Sequence, residues 1–193
     1  MTSTRALRLD AVVLAGGGAR RLGGADKPGL VVGGRTLLER VAEAVRAHTP
    51  DAGLTVVGPE RGSPRARYVR EDPPGSGPVP ALRAGLAHVE REWFALLAAD
   101  LPHLAPAHLE ELSAALTGAD TGAVYVDAEG REQWLTGLWR TAAVREALAA
   151  YGGRSLYRLL GPLEPRTVPL PGGDAFDVDT PEDLERARRR LDR

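Results

Sequence analysis

The chain has 193 residues, 43% of them apolar, and a formal net charge of −1 from 25 basic and 26 acidic side chains. That length fits one domain burying roughly 70% of its unfolded surface, and the balanced charge excludes a global attraction to nucleic acid or to an anionic membrane. The absence of cysteine excludes disulfides and thiolate metal sites and fits a cytoplasmic protein; no signal-peptide core is expected after the polar residues 1–8, and no apolar run approaches the roughly 20 residues of a membrane span.

Asp10-Ala11-Val12-Val13-Leu14 is an apolar run that predicts a buried strand. It leads into Ala15-Gly16-Gly17-Gly18-Ala19-Arg20-Arg21-Leu22-Gly23-Gly24-Ala25-Asp26-Lys27. Three consecutive glycines let a backbone approach a ligand closely and turn its N–H groups toward an anion. Arg20, Arg21 and Lys27 add positive charge to the same loop, so the segment suits a polyphosphate; a basic turn without a ligand is the plainer reading. Two better-known phosphate loops do not fit. No lysine follows Gly23 or Gly24, as a Walker loop needs, and Arg21 stands where the third glycine of a dinucleotide fingerprint beginning at Gly16 would fall.

Leu30-Val31-Val32 is β-like and closed by Gly33-Gly34, and Thr36-x-x-Glu39 is the capping box of a helix with Leu37, Leu38, Val41 and Val45 on one face. Leu54–Val57 and Arg67–Val69 are expected strands. Asp72 to Pro78 is a proline- and glycine-rich loop, followed by a helix with Val79, Leu82, Leu86 and Val89 in register. Trp93–Ala99 is apolar throughout, as in a strand of a parallel sheet buried on both faces, with Asp100 at its carboxyl end. Leu109, Leu112 and Leu116 mark another helix. Gly122–Val126 and Gln133–Trp139 flank the turn Asp127-Ala128-Glu129-Gly130 and predict two joined strands. Helices follow near 142–149 and 156–160, strands at 166–168 and 175–178, and a last helix capped by Thr180 with Pro181 at its first position. Strands alternating with helices indicate one α/β domain, Rossmann-like and three-layered, with a mostly parallel sheet. The Arg188-Arg189-Arg190 run has no aromatic interleaving and reads as a solvated helix end.

Ligands of such sheets sit beyond the carboxyl ends of the strands. The glycine loop, Asp72 and Asp100 fall there, and Asp177 and Asp179 are near enough in the expected topology to face the same crevice. Carboxylates beside a triphosphate loop require a cation between them, and Mg²⁺ is the ion that favours carboxylate, water and phosphate oxygens. Asp100 as a plain turn residue, and Asp179 as a plain helix start, are the alternatives.

Leu14-Ala15-Gly16-Gly17-x-x-x-Arg21-x-Gly23-Gly24-x-Asp26-Lys27 resembles the first motif of the nucleotidyltransferases that activate phosphorylated acceptors, and in detail the molybdenum cofactor guanylyltransferases. Glu71-Asp72 with Gly77-Pro78-x-x-Ala81-Leu82-x-x-Gly85-Leu86, then Ala99-Asp100-Leu101-Pro102, and finally Phe176-Asp177-Val178-Asp179-Thr180-Pro181, resemble that family's later motifs, so the likeness runs from Val12 to Leu184. It implies a single nucleotidyltransferase domain of GT-A-like type, with a nucleotide half over about 8–105 and an acceptor half over about 106–193. It implies GTP and molybdopterin, with or without molybdenum, as substrates. Leu14, Ala15, Gly16, Gly17, Gly18 and Lys27 are then implied as the triphosphate wrap, Arg21, Lys27 and Asp100 as the catalytic set, and Asp72 as a nucleoside contact. Asp100 is the implied Mg²⁺ ligand, with Asp179 or Asp177 beside it, and Gln133 and Arg154 fall on the acceptor side. Two positions depart from the family's pattern: Gly58 stands where many relatives carry asparagine, and Trp134 stands where proline is usual. Gly17 leans toward GTP, since relatives using CTP tend to carry alanine there. Use of CTP or a sugar-phosphate acceptor, or a partner protein that holds GTP without transferring it, remain as rival readings. Neither nucleic acid nor membrane is implied, while transient contact with proteins that deliver or accept the cofactor is compatible with this chemistry.

Overall fold

The apolar runs become strands because they combine aliphatic and β-branched residues with flanking glycines and prolines that stop them. The structure, a computed structural model, describes residues 7–16, 26–170 and 180–191. Its strands are β1 (Leu9–Leu14), β2 (Val31–Val32), β3 (Arg35–Thr36), β4 (Leu54–Val57), β5 (Arg67–Val69), β6 (Trp93–Ala98), β7 (Gly122–Val126), β8 (Glu132–Arg140) and β9 (Arg166–Pro169). Its helices are α1 (Leu37–His48), α2 (Pro78–Leu86), α3 (Pro106–Ala115), α4 (Thr141–Ala150), α5 (Leu156–Leu160) and α6 (Pro181–Leu191). None of these helices is long and apolar enough to cross a membrane.

Seven strands form one sheet in the order β5-β4-β1-β6-β8-β7-β9. β4 pairs in parallel with β5, as β1 does with both β4 and β6 and β7 does with β9. β8 is antiparallel to both of its neighbours, so it alone in the sheet runs against the rest. The expectation of a mostly parallel α/β sheet is thus met, and the two strands around the Asp127–Gly130 turn do pair with each other. A separate two-stranded hairpin joins β2 to β3 through Gly33 and Gly34, both at positive φ.

Alternation along the strands sorts side chains into two cores. Leu9, Ala11 and Val13 of β1 face α1 and α3, meeting Leu38, Val41, Leu109 and Leu112. Val12 and Leu14 face α2, α4 and α5, meeting Leu82, Leu86, Val144 and Leu160. α2 sits directly on the sheet because of Gly85, where an added Cβ would stand 2.4 Å from Val12 and 2.9 Å from Val57. α1 begins at the expected capping box: Thr36 Oγ1 accepts from Glu39 N–H while the Glu39 carboxylate accepts from Thr36 N–H at 2.8 Å. Thr180 caps α6 in the same way, accepting from Asp183 N–H at 3.2 Å. α6 packs Ala187 against Val32 and Leu37 beside the small hairpin. Several boundaries differ from the expected ones by a residue or so, and two of them bear on α2. Pro78 is the first residue of α2 rather than the last of the loop, because a helix's first turn needs no N–H from that position. Val89 lies past the end of α2 yet is buried, its N–H donating to Leu86 O. The strand expected at 175–178 lies outside the described residues.

Asp10 is the one carboxylate of β1, and it is 4% exposed. It accepts from Gly53 N–H at 2.9 Å just before β4, and from Glu90 N–H at 2.9 Å and Arg91 N–H at 3.1 Å just before β6. Arg91 Nε adds a charged donor at 3.0 Å. One side chain therefore ties the starts of three adjacent strands. Asp10→Ala leaves three backbone donors and a guanidinium without their acceptor, and is expected to lower stability by about 3 kcal/mol, read as a shift in urea midpoint at unchanged slope. Asp10→Asn, which keeps an acceptor oxygen, is expected to lose less.

Candidate functional site

The candidate site forms where the parallel strands run out. Three backbone bonds extend the sheet by one residue past the strand ends: Ala15 N–H to Val57 O at 2.8 Å, Ala99 N–H to Leu14 O at 3.1 Å, and Gly58 N–H to Val69 O at 2.9 Å. They fix Leu14, Ala15 and Gly16, the described start of the glycine loop, beside the residues that lead to Asp100. Gly58 lets the ends of β1 and β4 approach closely. A Cβ on it would stand 3.0 Å from the Ala15 side chain and 3.1 Å from its backbone, so a larger residue there would need the end of β1 to shift by a few tenths of an ångström.

A cavity of about 550 Å³ opens at this edge, walled by Leu14, Gly16, Gly58, Glu71, Pro78 and Asp100. Glu71 and Asp72 divide at the end of β5. Glu71 is buried and its carboxylate accepts from Gly75 N–H at 2.9 Å, which folds the loop back over the cavity. Asp72, the expected nucleoside contact, is exposed, and the cavity wall at this point is Glu71. The sequence placed the two residues side by side but carried no signal for which one turns inward.

Lys27 reaches the same edge from a single 3-10 turn, Lys27–Gly29. Its Nζ donates to Asp100 Oδ2 at 3.2 Å, with the two side chains 15% and 20% exposed. Residues 73 positions apart are thus in contact at the mouth of the cavity. The turn is anchored on both sides. Asp26 pairs with Arg61 through both carboxylate oxygens, one of them at 2.5 Å, and Leu37 N–H donates to Leu30 O at 2.9 Å. The hydrogen bonds and charge of Arg61 hold the Asp26 carboxyl below its usual value of 3.8. Gly29 makes room for this, since a Cβ there would stand 2.3 Å from Asp26 Oδ2.

On its other side Asp100 borders a second cavity of about 330 Å³, walled also by Gln133, Trp134, Thr136 and Leu156. Three of these wall residues come from β8, whose reversed direction puts its first residues at the carboxyl edge of the parallel strands. Gln133 Nε2 donates to Asp127 Oδ2 at 3.2 Å. Asp127 is itself held ionised below the usual carboxyl range by the Arg131 N–H and guanidinium and by Glu129 N–H. Arg154 is exposed between α4 and α5. The structure therefore brings Leu14, Gly16, Lys27, Asp100 and Gln133 around two cavities that share one carboxylate. Gly17, Gly18, Arg21, Asp177 and Asp179 lie outside the described residues.

Asp100 is the carboxylate at this edge that could hold a cation. Among the described residues no three His, Cys, Asp or Glu side chains cluster, and Mg²⁺ commonly takes one or two carboxylates and leaves its other positions to phosphate and water. Asp100, half-open between two cavities and balanced by Lys27, has that character.

Known proteins resemble this chain in sequence and fold. A family model for the MobA-like NTP transferase domain matches residues 11–167. The molybdenum cofactor guanylyltransferase of Cereibacter sphaeroides (strain ATCC 17029 / ATH 2.4.9) is 34% identical over 195 residues, covering 96% of this chain and 98% of that protein. That of Bradyrhizobium sp. (strain ORS 278) is 32% identical over 203 residues, covering 98% and 96%. Among solved structures, molybdopterin-guanine dinucleotide biosynthesis protein A from Archaeoglobus fulgidus has the same fold, with a TM-score of 0.72 at 21% identity over 95% of this chain and 99% of that one.

The Asp26–Arg61 pair can be tested by titration. Because the folded carboxyl lies below its unfolded value of 3.8, the pair's contribution is present above that pH and is lost as pH falls through the lower folded value. In Arg61→Ala the Asp26 carboxyl resonance, followed by carbon NMR, is expected to titrate at a higher pH than in the parent protein.

Proposed function

The chain belongs to the MobA-like NTP transferase family and is a nucleotidyltransferase; from that premise we propose that it transfers GMP from GTP to the terminal phosphate of molybdopterin, with or without bound molybdenum. The observation that carries this reading is Asp100, in contact with Lys27 and shared by two cavities. A transfer between two phosphorylated molecules needs that plan: a donor chamber, an acceptor chamber and one charged point common to both.

The acceptor phosphate is already anionic, so no protein nucleophile is needed. Its oxygen forms a bond to the α-phosphorus of GTP as the bond from that phosphorus to the bridging oxygen breaks. Pyrophosphate leaves with the electron pair, and a guanine dinucleotide remains. The protein contributes position and charge. Lys27 neutralises the triphosphate, joined by Arg21 and the N–H groups of Gly16, Gly17 and Gly18. Asp100 would hold Mg²⁺, with Asp179 or Asp177 as a second carboxylate. The bound ion supplies charge stabilisation at the phosphate oxygens. Glu71 at the wall and Asp72 at the rim are the carboxylates available to a guanine or ribose, and Gly17 favours the larger purine. A cytoplasmic location belongs to this reading, supported by a composition without cysteine.

The test is a panel of GTP, CTP, ATP and UTP with Mg²⁺ and molybdopterin, scored by product mass and pyrophosphate. GTP alone is expected to give product, and only when molybdopterin is added. Product from CTP would move the chain to a cytidylyl acceptor chemistry, and tight GTP binding with no pyrophosphate would make it a nucleotide-holding partner.

Asp100→Asn keeps the shape and removes the charge. Transfer is expected to fall by on the order of a hundredfold or more at saturating GTP and Mg²⁺, with the fold retained. Lys27→Ala is expected to weaken GTP binding by calorimetry about tenfold and GMP binding less, since the lost cation faced the outer phosphates. Near-parental turnover in Asp100→Asn would remove the carboxylate from the mechanism.

A further inference from the structure

The acceptor side of the site carries an aromatic cluster that phosphoryl chemistry does not require. The Trp134 ring stacks on Trp139, with centroids 6.2 Å apart and planes 22° from parallel. Tyr157 meets Trp134 edge-on at 5.9 Å and 69°. Trp139 is fully buried and anchors the group in the core, whereas Tyr157 is 62% exposed. A single exposed tyrosine needs no explanation; a tyrosine set edge-on against a core-anchored indole beside a transfer site does.

The strand explains how the indole comes to stand there. Val124 pairs with Gly137 but the next residue, Tyr125, pairs with Gln133, so β8 carries Trp134, Leu135 and Thr136 as extra length against β7. Trp134 lines the cavity that holds Asp100. It also lines a further cavity of about 460 Å³, walled by Glu132, Tyr157, Arg158 and Glu164. One indole therefore joins the chamber of the reacting phosphate to a second chamber farther out. Among the described residues no hydrogen bond or ion pair engages the side chains of Glu132, Arg158 or Glu164.

We infer that Trp134 and Tyr157 form the stacking platform for the acceptor's ring system, and that the outer chamber reads that ring's edge. The ligand class is a fused nitrogen heterocycle tethered to a phosphate, with a planar pyrimidine portion whose ring N–H and amino group present two adjacent donors. A carboxylate accepts from such an edge with both oxygens, as it does from a guanidinium, and Glu132 and Glu164 are the carboxylates at hand. A sugar phosphate would offer neither a ring face of matching extent nor two adjacent N–H donors. The inference rests on the proposed transfer to a pterin phosphate and assigns the residues that select it.

The test uses Tyr157→Ala, Trp134→Ala and Trp134→Phe with two readouts. In transfer assays with GTP and molybdopterin, Tyr157→Ala and Trp134→Ala are expected to raise KM for molybdopterin about five- to a hundredfold, the range that ring stacking carries. KM for GTP and kcat at saturating molybdopterin are expected to stay within about twofold, and Trp134→Phe to restore most of the loss. In calorimetry without nucleotide, 6-hydroxymethylpterin monophosphate is expected to bind the parent protein and to bind both alanine variants more weakly. Since Trp134 packs on the core, Tyr157→Ala decides the matter should Trp134→Ala fail to fold. Parental transfer with an unchanged molybdopterin KM and unchanged pterin binding in Tyr157→Ala overturns the platform and leaves the proposed function standing. No transfer by the parent protein, with pterin binding that still depends on Tyr157, overturns the proposed function and leaves the platform standing.

Discussion

The geometry of the site depends on the alignment of β4, β1 and β6. β1 is the central member, and Asp10 at its amino end accepts backbone donors from the segments entering both neighbours. A buried carboxylate is tolerated only when its oxygens are occupied, and here the same groups that satisfy it set the strand register. At the opposite end of the strands that register emerges as chemistry: Leu14 pairs across to Ala98 on one side and to Val57 on the other. The glycine loop and Asp100 consequently leave the sheet side by side. An error of one residue in the β1–β6 pairing would turn Asp100's strand over and exchange its two faces.

Charge at the site is arranged in pairs that hold each other in place. Asp26 and Arg61 restrain the turn that presents Lys27, and Lys27 in turn balances Asp100. The first pair is partly solvated, so its value lies in position rather than in stability. The second pair is largely shielded, and a phosphate and a cation entering together would replace its internal partners with opposite charges of their own. An anion alone would meet Asp100, and a cation alone would meet Lys27. On the proposed reading, the site would favour a nucleotide that brings its counterion with it.

The side of the site proposed for the acceptor owes its form to β8. A parallel strand in that position would begin at the far edge of the sheet and place Gln133 and Trp134 away from Asp100. Because β8 is antiparallel to β6, with Thr136 opposite Leu97, the residues before Thr136 lie alongside Ala98 to Asp100. The extra length of β8 against β7 then opens the space into which Trp134 stands. Directional reversal and a bulge together convert the edge of a nucleotide-binding sheet into two adjoining chambers.

Much of this was legible in the sequence, for local reasons. Largely apolar runs marked β1 and β6, a Thr-x-x-Glu box marked the start of α1, and Thr180-Pro181 marked that of α6, because each depends on groups within a few residues of one another. The order of the strands, the reversal of β8, the choice of Glu71 over Asp72 at the cavity wall and the contact of Lys27 with Asp100 were not legible. Each joins segments tens of residues apart, and is decided by which faces pack together when the two cores form on either side of the sheet. Sequence alone determined the fold class and the residue types that the chemistry needs. Only the tertiary structure decided which of them meet, since contact between distant side chains is set by packing and register rather than by any preference of the residues themselves.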